Sequence, residues 1–246
     1  MKINLIFKKN LKLLIFAFLL LAMFSLFFSD YMLLFIFHSK IWAHKVNRME
    51  QLNNASKLYS GVELDIVFHA NENYFEVNHP PDSSLNLKLS DYLTSPSLHS
   101  VNHIWLDFKN LTTENQIQAT QTLDSIVKLS GIKKTIIFVE SPEIQRLISF
   151  QNKGFQTSYY LPTDLQSLAP DSLLSVISKI KQLLASNPEC YISAEFSDYP
   201  ILKKYFPEKK KLLWFAVYGS MNKLKARILL YQIAFDSKVD ALLIPL

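Results

Sequence analysis

A regular alternation of short β-rich runs with amphipathic stretches, from about residue 40 to the end of the chain, constrains the fold more than any other feature. The β-rich runs are KIWAH (40–44), VELDIVF (62–68), HIWLDF (103–108) and KTIIFV (134–139), then QTSYYL (156–161), CYISAEF (190–196), LLWFAVY (212–218) and ALLIPL (241–246). Between them lie stretches such as MEQLNNASKLY, QIQATQTLDSIVKL, SPEIQRLISFQ, SLLSVISKIKQLLA and MNKLKARILLYQIAF, whose apolar residues recur at the spacing of one helix face. Strands separated by helices of this length imply βα units and a parallel sheet, because a parallel pair needs a crossover. Eight strands close a barrel, and 246 residues suit one such domain. The expected fold class is therefore α/β, a (βα)8 TIM barrel. An open doubly wound sheet is the alternative, but no glycine-rich phosphate loop accompanies any run.

Two local features refine this. NYFEVNHPP (73–81) follows the second run without a helix between and reads as a hairpin excursion at the barrel top. Of only four glycines, Gly61, Gly131 and Gly154 each stand after a helical pattern and before a strand, where a helix C-terminus favours positive φ.

The first forty residues differ in character. Residues 13–28 contain no charge and one polar residue, Ser25, while Ser29 and Asp30 separate them from YMLLFIF (31–37). A bilayer-spanning helix needs roughly 20 apolar residues, so the expectation is one N-terminal transmembrane helix at 11–28, with 31–37 at the interface or packed on the domain. Small residues of the kind a signal peptidase reads are missing around 27–29, and no cysteine follows for lipid attachment, which favours an uncleaved anchor. Lys2, Lys8, Lys9 and Lys12 precede the span and place the N-terminus in the cytoplasm. The expected organisation is 1–38 as cytoplasmic lysines and anchor and 39–246 as the barrel. The expected location is the cell inner membrane, single-pass, with the barrel on the periplasmic side and the lipid bilayer as a partner.

The net charge of +5 is almost accounted for by those four lysines. A second cluster, Lys203, Lys204, Lys209, Lys210 and Lys211, comes with no recognition helix or aromatic RNA-binding pattern, so nucleic acid is not an expected partner. It reads as a solvated face or a weak attraction to anionic headgroups. A single cysteine, Cys190, excludes a disulfide framework and a thiolate zinc site, and reads as a small buried strand residue.

In such a barrel the chemistry lies at the C-terminal ends of the strands. His44 ends the first run, Glu63 and Asp65 stand two apart on the second, and Asp107 and Lys109 stand two apart on the third. Alternation puts each pair on one face. Side-by-side carboxylates in an interior repel, and a shared divalent cation relieves that. His79 arrives from the hairpin.

The spacing H-x(18)-E-x-D (His44, Glu63, Asp65) followed by His79 resembles the glycerophosphodiester phosphodiesterase superfamily. The wording WAHKVN, VELDI, VNHPP and LDFKN looks closer to its menorin branch, with weaker similarity through LLWFAVY and VDALLIP. The resemblance implies a Mg²⁺ or Ca²⁺ ion held by Glu63, Asp65 and Asp107, with His44 and His79 as general acid and base. It also implies Lys109 facing the phosphate and Trp214 in the place of a strand-seven tryptophan common in the superfamily. Lys45-Val46 stands where the superfamily reads Arg-Gly, Pro80 follows His79 where it reads Asp, and Asp107 replaces a Glu.

Other readings accompany these. Glu140 and Glu195 end the fourth and sixth runs and would be the opposed carboxylates of a glycosidase. Tyr159, Tyr160 and Trp214 read either as pocket walls or as barrel filling. Lys109 reads either as a phosphate ligand or as a partner that reduces repulsion at Asp107 or Glu63. His38, His69, His99 and His103 have no assigned role. The leading expectation is a membrane-anchored, metal-dependent phosphodiesterase-like enzyme acting on a glycerophosphodiester, phospholipid-derived or surface-polymer phosphodiester. The alternative is a non-catalytic barrel that binds a ligand or partner at the membrane surface.

Overall fold

The computed structural model describes residues 15–21, 25, 27, 29–215 and 222–245. The chain divides into two compact units, Met1–His38 and Ser39–Leu246. In the first, residues 15–21 are helical and a short helix, α1, spans Asp30–Ile36. Among the described residues no helix is long and apolar enough to cross a membrane. Half of the expected span at 11–28 falls outside the described residues.

The second unit alternates strand and helix: β1 (Ile41–His44), α2 (Met49–Ala55), β2 (Gly61–His69), β3 (Tyr74–Val77), α3 (Leu89–Leu93), β4 (His103–Phe108) and α4 (Gln116–Ser130). It continues with β5 (Ile137–Ser141), α5 (Ile144–Gln151), β6 (Gln156–Tyr160), α6 (Pro170–Ala185), β7 (Tyr191–Glu195), α7 (Tyr199–Tyr205), β8 (Lys211–Trp214), α8 (Lys223–Phe235) and β9 (Val239–Pro245). Eight of the strands are parallel. They pair in the order β1-β9-β8-β7-β6-β5-β4-β2, and β1 also pairs with β2, which closes the barrel. The ninth, β3, runs antiparallel along β2 as the hairpin expected from 73–81.

Two outer helices, α3 and α7, had no sequence expectation. Each is short, so neither repeats its apolar positions often enough to show a period. KTIIFV is also split: Lys134–Ile136 forms a single 3₁₀ turn and the strand starts at Ile137.

Trp42, Trp105, Phe138, Tyr191, Leu212, Ala241 and Leu243 form one contiguous buried cluster drawn from six strands. Interdigitation of bulky side chains from neighbouring strands is how a small barrel fills its interior. The indole of Trp42 takes extra room: a Cβ on Gly61 would lie 2.5 Å from it. This corrects the expectation for Gly61. Gly131 (φ 74°) and Gly154 (φ 91°) do adopt positive φ, whereas Gly61 lies in β2 and is required by the close approach of Trp42. Cys190 is buried and free, just before β7.

Candidate functional site

Strand periodicity carries the interior from packing to chemistry. Two residues beyond Trp42, Trp105, Phe138, Tyr191 and Leu212, the same faces present His44, Asp107, Glu140, Ser193 and Trp214. On β2 the equivalent positions after Gly61 are Glu63 and Asp65. At this end lies a cavity of about 180 Å³ lined by His44, Lys45, Glu63, Asp65, His79, Trp105, Asp107, Lys109, Glu140, Tyr160, Trp214 and Leu243. All seven residues expected at the site line it. Glu195 does not, although it ends β7, so the glycosidase pair Glu140 and Glu195 is not assembled in one cavity.

Glu63, Asp65 and Asp107 each offer a carboxylate oxygen, and the three oxygens lie within 4.8 Å of one another. They come from β2 and its parallel neighbour β4, where Glu63 aligns with Trp105 and Asp65 with Asp107. Three hard oxygens at that separation suit a hard divalent cation, so this donor set can hold a metal ion. The electrostatics agree. Burial, together with the charges of Asp65 and Asp107, pushes the Glu63 carboxyl well above the usual range. Burial also raises Asp107, against the pull of Lys109. Lys109 Nζ lies 2.7 Å from Asp65 Oδ1 and also contacts Asp107 Oδ2. Burial alone would lower its pKa, but those two carboxylates hold it above its ordinary value.

Local backbone geometry fixes the acids. Lys45 adopts the left-handed conformation (φ 55°), uncommon for a residue with a side chain, and its N–H donates to Glu63 Oε2 at 2.7 Å. Asn47 clamps Asp65 from both sides: its Nδ2 donates to Oδ2 at 2.6 Å and its Oδ1 accepts the Asp65 N–H at 2.9 Å. The Tyr92 hydroxyl supports this turn by donating to the Val46 carbonyl at 2.8 Å. Asn110 locks β2 to the loop after β4 through both the N–H and the carbonyl of Phe68. Asn47 and Asn110 carried no role in the sequence reading. Their one available signal was the wording of WAHKVN and LDFKN.

The histidines occupy different settings. His44 Nε2 lies 3.7 Å from Glu63 Oε2. Burial, then the adjacent Lys45 charge, lowers His44 to about 4, so its imidazole is neutral at pH 7. His79 sits in the loop after β3, with Nδ1 3.9 Å from Asp82 Oδ2 and its side chain about one third exposed. The Asn78 N–H anchors that loop to the Asp65 carbonyl at 3.0 Å. Tyr160 and Trp214 stack at 6.3 Å with 14° between planes and form one wall, whereas Tyr159 does not line the cavity.

Glu140 is 1% exposed and lies beside Asp107 in register. Among the described residues its Oε2 has no hydrogen-bond partner, nor do Trp105 Nε1 and Trp214 Nε1. Burial, then the Asp107 charge, pushes the Glu140 carboxyl far up. Elsewhere, His69 pairs with Glu76 at 2.9 Å, and His103 stacks on Trp42 at 4.8 Å near the opposite end of the strands.

No protein-family model matches this chain. No curated protein matches it by sequence. Solved structures do. A glycerophosphodiester phosphodiesterase from Parabacteroides distasonis superposes with a TM-score of 0.58 at 16% identity, covering 84% of this chain and 92% of that one. A phosphodiesterase from Oleispira antarctica, solved with the product sn-glycerol-3-phosphate, gives 0.54 at 12% identity, covering 85% and 94%. The glycerophosphodiester phosphodiesterase of Thermotoga maritima gives 0.51 at 12%, covering 84% and 94%. At these identities what the chain shares with them is the barrel fold.

Proposed function

We propose that this chain is a membrane-anchored, divalent-metal-dependent phosphodiesterase-like enzyme acting on a small phosphodiester. The substrate class is a glycerophosphodiester, a phospholipid-derived headgroup or a surface-polymer linkage. One observation carries the reading: three carboxylates able to hold a cation, two histidines and a lysine line a single cavity at the C-terminal ends of the barrel strands. The fold shared with several phosphodiesterases, one of them solved with a glycerol phosphate product, supports a small phosphodiester ligand.

In this reading Glu63, Asp65 and Asp107 hold Mg²⁺ or Ca²⁺. When bound, such an ion supplies positive charge to the phosphate oxygens as negative charge builds. Lys109 orients the phosphate with its ammonium. His44, neutral at pH 7 and fixed by a backbone hydrogen bond to Phe215, accepts the proton of the attacking hydroxyl. His79 delivers a proton to the leaving oxygen from the cavity mouth. The stacked Tyr160 and Trp214 wall the organic part of the substrate and limit water access. The apolar segment at 11–28 serves as a single-pass inner-membrane anchor with the barrel on the periplasmic side, and the motif wording favours the menorin branch.

A second reading, a non-catalytic barrel that binds a ligand or partner, is favoured by Lys109. Its ammonium already bridges Asp65 and Asp107, which offsets part of the buried negative charge. The discriminating experiment uses the full chain in detergent with Mg²⁺, Ca²⁺ or Mn²⁺ and a panel of phosphodiesters, with His44→Ala and Glu63→Ala as controls. Metal-dependent turnover abolished in both variants supports the enzyme. Metal binding lost in Glu63→Ala without turnover on any diester supports the scaffold. Activity that survives in both variants rules out this site.

A further inference from the structure

Helix α8, KLKARILLYQIAF, is apolar on two faces. Ala226, Leu230, Ile233 and Ala234 are buried on the barrel side, together with Arg227. Leu224 (47% exposed), Ile228 (43%) and Phe235 (72%) point outward. With the half-buried Tyr231 they follow the spacing i, i+4, i+7, i+11, which places them on one stripe of the helix. A helix apolar on both faces is normally covered on both.

The charges around the stripe say what covers it. Lys223 and Lys225 are exposed beside Leu224, and α8 contains no acidic residue. Neither does α7, the outer helix on the other side of β8 in the chain, which exposes Lys203 and Lys204. Asp236, just past α8, is engaged: its carboxylate accepts the Tyr199 hydroxyl at 2.8 Å and the Lys238 N–H at 2.9 Å. A second copy of the chain fits poorly. The stripe is a patch of a few hundred Å², against about 800 Å² per partner in a stable dimer, and it would bring like charges together.

We propose that the outer face of α8 docks on an anionic lipid surface, with Leu224, Ile228 and Phe235 in the headgroup–acyl boundary and Lys223, Lys225, Lys203 and Lys204 meeting lipid phosphates. Apolar burial combined with lysines at the headgroup level is the binding mode of interfacial helices. The contact is independent of the segment at 11–28 and of turnover, and it would lay this side of the barrel against the bilayer.

The test uses the full chain with the buried Cys190 replaced by Ala and an environment-sensitive fluorophore at Ile228→Cys, with Leu224→Cys as an independent second site. Ile117→Cys on α4, 56% exposed and four barrel strands away, serves as the control. Nanodiscs of phosphatidylcholine, with or without roughly one third phosphatidylglycerol, carry a lipid-borne quencher. The expected result is a blue shift and at least about twofold stronger quenching at 228 and 224 than at 117 in the anionic discs. Lys223→Glu combined with Lys225→Glu should abolish most of that difference while leaving circular dichroism unchanged. Equal quenching at all three sites overturns the proposal, as does shielding at 228 without lipid in a sedimenting dimer. A chain that leaves the phosphatidylcholine discs but binds the anionic ones removes the anchor at 11–28 and retains the α8 contact.

Discussion

The indole of Trp42 fills the space that a side chain at Gly61 would need, with the nearest ring atoms 2.5 Å from where a Cβ would stand. The pair sits at the start of β1 and β2, directly below His44 and Glu63 on the same faces. Packing in the barrel floor and geometry at the site are therefore linked. Gly61→Ala must displace a fully buried tryptophan, and overpacking of this kind destabilises by about 1–3 kcal/mol. Urea unfolding should show a lowered midpoint with an unchanged m-value.

Asn47 should act on metal affinity and, through the buried Asp65 N–H that it satisfies, on folding as well. It holds both Asp65 Oδ2 and the Asp65 N–H, so Asn47→Ala frees the carboxylate to rotate. Loss of such an outer partner typically costs about 10–100-fold in affinity. Calorimetric titration with Mg²⁺ or Ca²⁺ should show that loss, and the orphaned Asp65 amide should lower stability in chelator by about 1–3 kcal/mol. Glu63→Gln should go further and remove metal-dependent stabilisation altogether.

Glu140 predicts a gain of stability. Its carboxyl is fully buried, one oxygen lacks a partner, and burial with the Asp107 charge raises its pKa in the folded state. An acid whose folded pKa lies above its unfolded value, near 4.3, imposes no penalty below that value. The penalty grows as pH rises from there toward the folded pKa. In chelator, the chain should therefore lose stability as pH climbs above about 4. Glu140→Gln should flatten that slope and raise stability at pH 7 by about 1–3 kcal/mol. Chemical denaturation at several pH values checks the sign, and a variant less stable than the parent at pH 7 refutes it.

The two histidines should separate by phenotype. His44 touches Glu63 and is well buried, so His44→Ala should disturb both metal affinity and turnover. His79 lies in the loop beyond β3, with Nδ1 3.9 Å from Asp82 Oδ2. His79→Ala should leave metal binding intact and lower kcat by about 10²–10⁴-fold. A leaving group of low pKa, such as a nitrophenol, should restore much of that loss if His79 protonates the leaving oxygen. Equal losses on good and poor leaving groups would assign His79 to binding instead.

Much of the barrel and most of the candidate site are legible in the sequence. The strands could be read because each carries enough β-branched and aromatic residues between helical periods, and the period of two fixed which residues share a face with Glu63, Asp65 and Asp107. What stayed hidden depends on contacts between residues far apart in sequence. Asn47 reaches Asp65 across 18 positions, and Asn110 reaches Phe68 across 42. Short helices such as α3 and α7 leave too few turns for a period to register.

The alternation of elements, the parallel barrel it implies and the residue types at the strand ends follow from local periodicity and chain order, and so can be read from the chain alone. How these residues act on one another emerges from the folded barrel. It showed that Gly61 answers to Trp42 rather than to a helix cap. It placed Lys109 between Asp65 and Asp107, and it brought Glu140 into the cavity while leaving Glu195 outside. These outcomes depend on barrel closure, which sets the distance and burial between side chains that no local pattern encodes.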